Sequence, residues 1–135
     1  MSRITEIIES HPNTPDGLHV QTLSDCIVAC LECAQACTAC ADACLGEEDV
    51  AHLAQCIRTD LDCADVCTAT ASILSRSTGG GLATVRAVLR ACQAACAQCA
   101  ADCEAHAQMH EHCRLCAEAC RRCEQACADL LAVIG

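Results

Sequence analysis

The side chains able to do chemistry in bulk are thiols. Cys26, Cys30, Cys33, Cys37, Cys40 and Cys44 are spaced 4, 3, 4, 3, 4. Cys92, Cys96, Cys99 and Cys103 follow 4, 3, 4, and Cys113, Cys116, Cys120, Cys123 and Cys127 follow 3, 4, 3, 4. A thinner series holds Cys56, Cys63 and Cys67, and the four series account for all 18 cysteines. Alternating steps of three and four put every marked residue on one face of a helix, the face that meets partner helices. A bundle ordinarily carries Leu and Ile there. Thiolates in their place make a lining of soft metal ligands.

Charge decides which metal suits it. Zinc takes about four thiolates per ion, and each such site keeps a charge of about −2. Filling 18 cysteines that way would bury about −8 to −10 with no basic residue on the seam, a prohibitive cost. Iron–sulfur clusters make the same four-thiolate demand and usually sit in wrapping loops, which a file of thiolates along helices does not supply. Cu(I) is soft and accepts two or three ligands. Cysteines at i and i+4 have Cβ atoms roughly 5–6 Å apart, near enough to clasp one linear ion. If each thiolate bridges two ions, the ratio is one Cu(I) per cysteine, on the order of 18 ions, and the core is neutral. Charge balance, more than spacing, selects copper.

Other ligand types gather at one end of the stripes. Cys99 and Cys103 are continued in step by His106 and His110, which we read as ligands at an entrance. His52, four residues before Cys56, and Met109 and His112 in the same turn region fit either ligands or polar surface. His11 and His19 read as linker and helix-start residues. Asp60 occupies a seam position between Cys56 and Cys63. A lone carboxylate there is costly unless paired or ligated. It either joins nearby Cys and His in a site or turns to solvent to pair with Arg58 or Arg114.

The elements that must position these groups are helices. At 135 residues, with no aromatic residue and Ala the commonest, the chain forms one small core that depends on close packing or on bound material. Ile4, Ile7 and Ile8 mark a short amphipathic helix, and with the turn-rich HPNTPDG they make an N-terminal segment over residues 1–17. The bundle occupies 18–135. Its first helix runs from about Leu18 to Leu45 and stops at Gly46. Its second runs from about Glu48 to Ser75, SRSTGGG breaks the chain, and a third begins near Leu82. From there to Ile134 there is no Gly or Pro. One helix of that length would reach roughly 75–80 Å, twice its partners, so a turn belongs between His106 and Cys113, with the last helix ending near Val133. The fold class is all-α: an antiparallel up-down-up-down four-helix bundle with a short extra N-terminal helix. Leu23, Thr70, Leu74, Val85, Leu89, Leu130 and Ile134 then meet at one end as a plug, opposite the histidines.

The net charge of −10 and the lack of aromatics argue against nucleic acid and anionic membrane surfaces. No apolar run approaches membrane-spanning length, and MSRITEIIES has no export features. The expected compartment is the cytosol, where thiols stay reduced and dense cysteine points to metal. Protonated cysteine is nearly apolar, so the bundle is expected to stand folded and empty.

The helical Cys-x3-Cys-x2-Cys seams, with Cys103, His106, His110, Cys113 and Cys116 at the turn, resemble the bacterial copper storage proteins, cytosolic branch. The resemblance covers the chain from about Leu18 onward. It implies storage and detoxification of copper by a homotetramer of bundles, each holding many Cu(I) ions on the seam cysteines, loaded through the histidine end, with a cytosolic copper chaperone as a possible donor. Asp60 gives helix two a local site unlike a pure thiolate one. Ile4, Ile7, Ile8, Ile57 and Leu61 offer the candidate contact surface between subunits. The alternative is an iron–sulfur or zinc-thiolate protein with a redox role. An enzyme is disfavoured because a uniform seam singles out no reactive cysteine.

Overall fold

The computed structural model describes residues 2–14, 18–76 and 81–134. The expected breaks at HPNTPDG and SRSTGGG fall partly on 15–17 and 77–80, outside the described residues. Five α-helices follow in order: α1 (Arg3–Glu9), α2 (Val20–Leu45), α3 (Ala54–Leu74), α4 (Leu82–Glu104) and α5 (Glu111–Ile134). Each of the four long helices packs on its neighbours in sequence, and α2 closes the ring on α5. This is the expected four-helix bundle, with α1 laid against α2.

The register can be read from sulfur contacts. Cys26 meets Cys127 and Cys40 meets Cys113, so α2 and α5 run antiparallel. Cys67 meets Cys92 and Cys56 meets Cys103, so α3 and α4 do the same. Across the diagonal the helices are parallel: Cys30 faces Cys92 and Cys37 faces Cys99. Small side chains permit such contacts. Ala34, Ala41, Ala64, Ala100 and Ala117 fill the flanks of the seams and are buried, letting backbones approach closely enough for one-carbon side chains to touch.

The plug end is as the stripes imply. Leu23, Leu74, Val85, Leu89 and Leu130 are buried there, and Thr70 disposes of its hydroxyl by donating to the Val66 carbonyl at 2.7 Å. Gly81, with φ of 79°, sits in the left-handed region at the start of α4, a conformation that glycine adopts at little cost.

Two boundaries differ from expectation. The second helix was expected from Glu48, but α3 begins at Ala54 after a single 3-10 turn, Val50–Leu53. Asp49, at the start of that turn, makes no capping bond because its carboxylate is engaged by His110. The tight turn buries Leu53 completely. The connection after α4 starts at once, from Ala105, so His106 and His110 lie in a turn rather than on a continuing helical stripe. Glu111 in the first turn of α5 favours that new start electrostatically, and Arg114 holds both Glu111 and Glu118 at 2.7 and 2.6 Å.

Two further expectations need correction. Ile8 is buried within the chain itself at 2 % exposure and is no contact surface, whereas Ile7 and Leu61 are exposed. And α2 is, by length and composition alone, apolar enough to cross a membrane. Cysteine and alanine carry that hydropathy. Half of its most apolar window is buried inside the bundle, as a core helix would be.

Candidate metal-binding core

All 18 cysteines are free and buried. Their sulfurs stack along the bundle axis in overlapping groups. Nearest the plug, Cys30, Cys92, Cys123 and Cys127 converge, then Cys33, Cys63, Cys67 and Cys96, then Cys33, Cys37, Cys63 and Cys120, then Cys37, Cys99, Cys116 and Cys120; in each group the four sulfurs lie within 4.8 Å of one another. The second and third groups share Cys33 and Cys63, the third and fourth share Cys37 and Cys120, and Cys67 joins the second group to the first through Cys92 and Cys123 at 3.8 and 4.0 Å, so the sulfurs form one column. Cys33 alone reaches Cys37, Cys63, Cys96 and Cys120 at 3.7–4.0 Å. In a discrete tetrahedral site each thiolate serves one ion; here the mid-column sulfurs, such as Cys33, Cys37, Cys63 and Cys67, each touch several others, which suits bridging.

Asp60 belongs to the column. It is fully buried, and its Oδ1 accepts from the thiols of Cys99, Cys116 and Cys103 at 3.0, 3.3 and 3.4 Å. The solvent-facing alternative does not occur: Arg114 is occupied by Glu111 and Glu118. Asp60 faces Cys116 as Cys67 faces Cys123, one step along the same pair of helices. Burial, and after it the Cys99 contact and the charge of neighbouring thiols, pushes the Asp60 carboxyl up to about 12. Its Oδ2 is buried without a hydrogen-bond partner among the described residues. The carboxyl is thus a protonated acid in the column, with Oδ1 held by three thiols.

At the open end, Cys40, Cys44, Cys113 and His112 converge. His112 Nδ1 lies 3.4 Å from the Cys40 sulfur and 3.7 Å from that of Cys113. Burial opposes protonation of His112, but the Cys40 thiol and the Glu47 carboxylate together raise its pKa. The Cys44 thiol is pushed up to about 11, by burial first and the charge of Cys40 second, and burial raises Cys113 as well.

The remaining entrance residues divide. His110 is largely buried, between Glu47 at its Nδ1 and Asp49 at its Nε2, and its ring stacks on that of His112 with centroids 5.4 Å apart. The hydrogen bond from His110 holds the Asp49 carboxyl below its usual range. His106 is half-buried in the turn, and its ring forms no hydrogen bond with a described residue. His52 and Met109 are exposed. Glu47 and Asp49 escaped the sequence reading. They lie in the loop between α2 and α3, about 60 residues from the histidines they meet, and no periodicity marks them.

The sequence model described as copper storage protein matches residues 19–132. A cytosolic copper storage protein from Streptomyces lividans, in a structure loaded with 10 copper equivalents, is 58% identical with a TM-score of 0.93, covering 96% of this chain and 98% of its own. A structure described as copper loading to that organism's cytosolic storage protein, with five coppers, gives 65% identity and a TM-score of 0.81 over 83% and 93%. Metal-free copper storage protein 3 from Bacillus subtilis is 31% identical, TM-score 0.69, over 80% and 97%. A search of curated protein sequences finds no match.

Proposed function

The chain belongs to the copper storage protein family, and on that premise we propose that it holds Cu(I) in its cysteine column as a cytosolic store that also keeps the free ion from the rest of the cell. The observation that carries this is the continuity of the sulfurs: the mid-column four-sulfur groups share members, and Cys67 links them to the group at the plug. Bridging thiolates match the low coordination number of Cu(I), and one ion per thiolate leaves the column neutral. Capacity is then on the order of one Cu(I) per cysteine, with Asp60 contributing an oxygen donor beside Cys99, Cys103 and Cys116.

Entry is from the histidine end. His112 stands with one ring nitrogen toward Cys40 and Cys113, and we assign it the hand-over of Cu(I) from the surface to the first thiolates. His110 and His106 serve as outer ligands. The opposite end is closed by Leu23, Leu74, Leu89 and Leu130, so ions leave as they entered. By the family resemblance the working form is a homotetramer, with Ile7 and Leu61 in its contacts, receiving copper from a cytosolic chaperone. The storage role calls for no catalytic residue.

An anaerobic titration of the reduced protein with Cu(I) against a chromophoric chelator tests this, with far-UV circular dichroism before and after. Tight uptake approaching one ion per cysteine, with full helicity already present in the metal-free protein, is expected. Saturation at about four or five ions, or preference for Zn(II), would return the column to discrete tetrahedral sites.

A further inference from the structure

We propose that the open end carries a second metal site of a different kind, built from Glu47 Oε2, His110 Nδ1 and His112 Nε2, which takes a divalent cation of borderline hardness such as Zn(II). Glu47 Oε2 is the shared point: it contacts His110 Nδ1 directly and lies 3.5 Å from His112 Nε2. Glu47 lies in the loop before α3, His110 in the turn before α5 and His112 in the first turn of α5, and the bundle brings them together at its open end.

The opposite ring nitrogens are both engaged, and this orients the donors. His110 Nε2 faces Asp49 Oδ2 at 3.1 Å. A neutral imidazole carries one N–H. Each ring nitrogen of His110 faces a carboxylate oxygen, and a cation held by Glu47 would take the place of the proton on Nδ1. A metal-bound histidine backed by a carboxylate on its other nitrogen is the usual way a protein fixes ring tautomer and direction. Asp49 is therefore a positioning residue. In His112 the roles of the nitrogens are reversed: Nδ1 faces Cys40 and Cys113, and Nε2 points out toward Glu47.

The present contacts leave the group unsatisfied. His112 Nε2 is buried and, among the described residues, meets only Glu47 at 3.5 Å, beyond good hydrogen-bond geometry. Glu47 and Asp49 pair with histidines rather than arginines among the described residues. Two carboxylates converge on the two rings, and a divalent cation supplies positive charge between them. Two imidazoles, one carboxylate and an open position are the donor set of borderline divalent ions, whereas the column behind offers only soft sulfur beyond Asp60. This site stands outside the Cu(I) column and shares His112 with it.

The test is histidine side-chain NMR on reduced, ¹⁵N-histidine-labelled protein with Zn(II) as the probe, because it reads each ring nitrogen separately. One equivalent is expected to shift His110 Nδ1 and His112 Nε2 together while His110 Nε2 stays protonated. Glu47→Gln, which keeps the size and loses the charge, is expected to weaken Zn(II) binding by about tenfold or more. A shift at His112 Nδ1 with His110 unmoved would place zinc among Cys40, Cys44 and Cys113 and overturn the proposal. So would no histidine response, or an affinity unaltered by Glu47→Gln. A Cu(I) titration of the same variant reads the thiolate column separately, so failure of this site and failure of the store are distinguishable.

Discussion

Asp60 and Cys99 lie 3.0 Å apart, a carboxyl oxygen against a sulfur, in the middle of a column otherwise made of thiols. The contact is buried. The Asp60 carboxyl keeps its proton well beyond physiological pH because burial disfavours its charged form.

Stability of the metal-free protein should therefore fall as pH rises from acid to neutral. Asp60 titrates near 3.8 when unfolded and near 12 when folded. Between those values the folded chain binds the extra proton, so this group favours unfolding progressively with pH, by at most about 1.4 kcal/mol per pH unit. Asp60→Asn cannot ionise and retains the oxygen that accepts from Cys99. Urea midpoints at pH 5 and pH 7 are expected to differ in the native chain and to converge in the variant. Equal pH slopes in the two proteins would mean that Asp60 is charged in the core.

Uptake of Cu(I) at the entrance, where Cys44 is a ligand, should strengthen with pH over the whole accessible range. Each Cu(I) displaces a thiol proton, and the Cys44 thiol at the entrance is held at about 11. Below that value, affinity for an ion that displaces one proton rises about tenfold per pH unit. Competition titrations from pH 6 to pH 9 should show this rise without a plateau. A plateau near pH 7 would mean thiolates already formed in the empty column.

The cysteine column was legible because its period is that of a helix and every member obeys it, so that no packing detail was needed. Asp60 was legible as a seam position but not as a direction, since a small twist of α3 separates the core from solvent. The entrance was harder. His106 and His110 keep the spacing of α4, but the helix stops at Glu104, and spacing has no meaning beyond a helix end. His112 is one residue off the seam yet comes within reach of Cys40, because the first turn of α5 opens toward α2. Glu47 and Asp49 act through a loop whose partner lies on the other loop of the same end, a relation that exists only after folding.

The entrance histidines should separate kinetically. His112→Ala removes the ring nitrogen 3.4 Å from Cys40 and is expected to slow Cu(I) transfer from a chelator while leaving nearly full capacity. His52→Ala, at an exposed position, is expected to change neither. Stopped-flow loading followed by ion counting at equilibrium distinguishes these outcomes. Equal rates in native protein and His112→Ala would remove His112 from the route of entry.

The plug offers a test of how far folding and storage are independent. Leu89 is completely buried at the closed end, and Leu89→Ala removes several buried methyl and methylene groups and leaves a cavity, at a cost of about 2–5 kcal/mol. The metal-free variant should unfold at markedly lower urea concentration. Bound Cu(I) stabilises the folded state by mass action in proportion to affinity, and the sulfur groups that set that affinity are built without Leu89. The loaded variant should thus regain native-like resistance to urea and hold the same number of ions per chain. A lowered ion count measured by atomic absorption would show instead that the plug holds the last cysteine group, Cys30, Cys92, Cys123 and Cys127, in register.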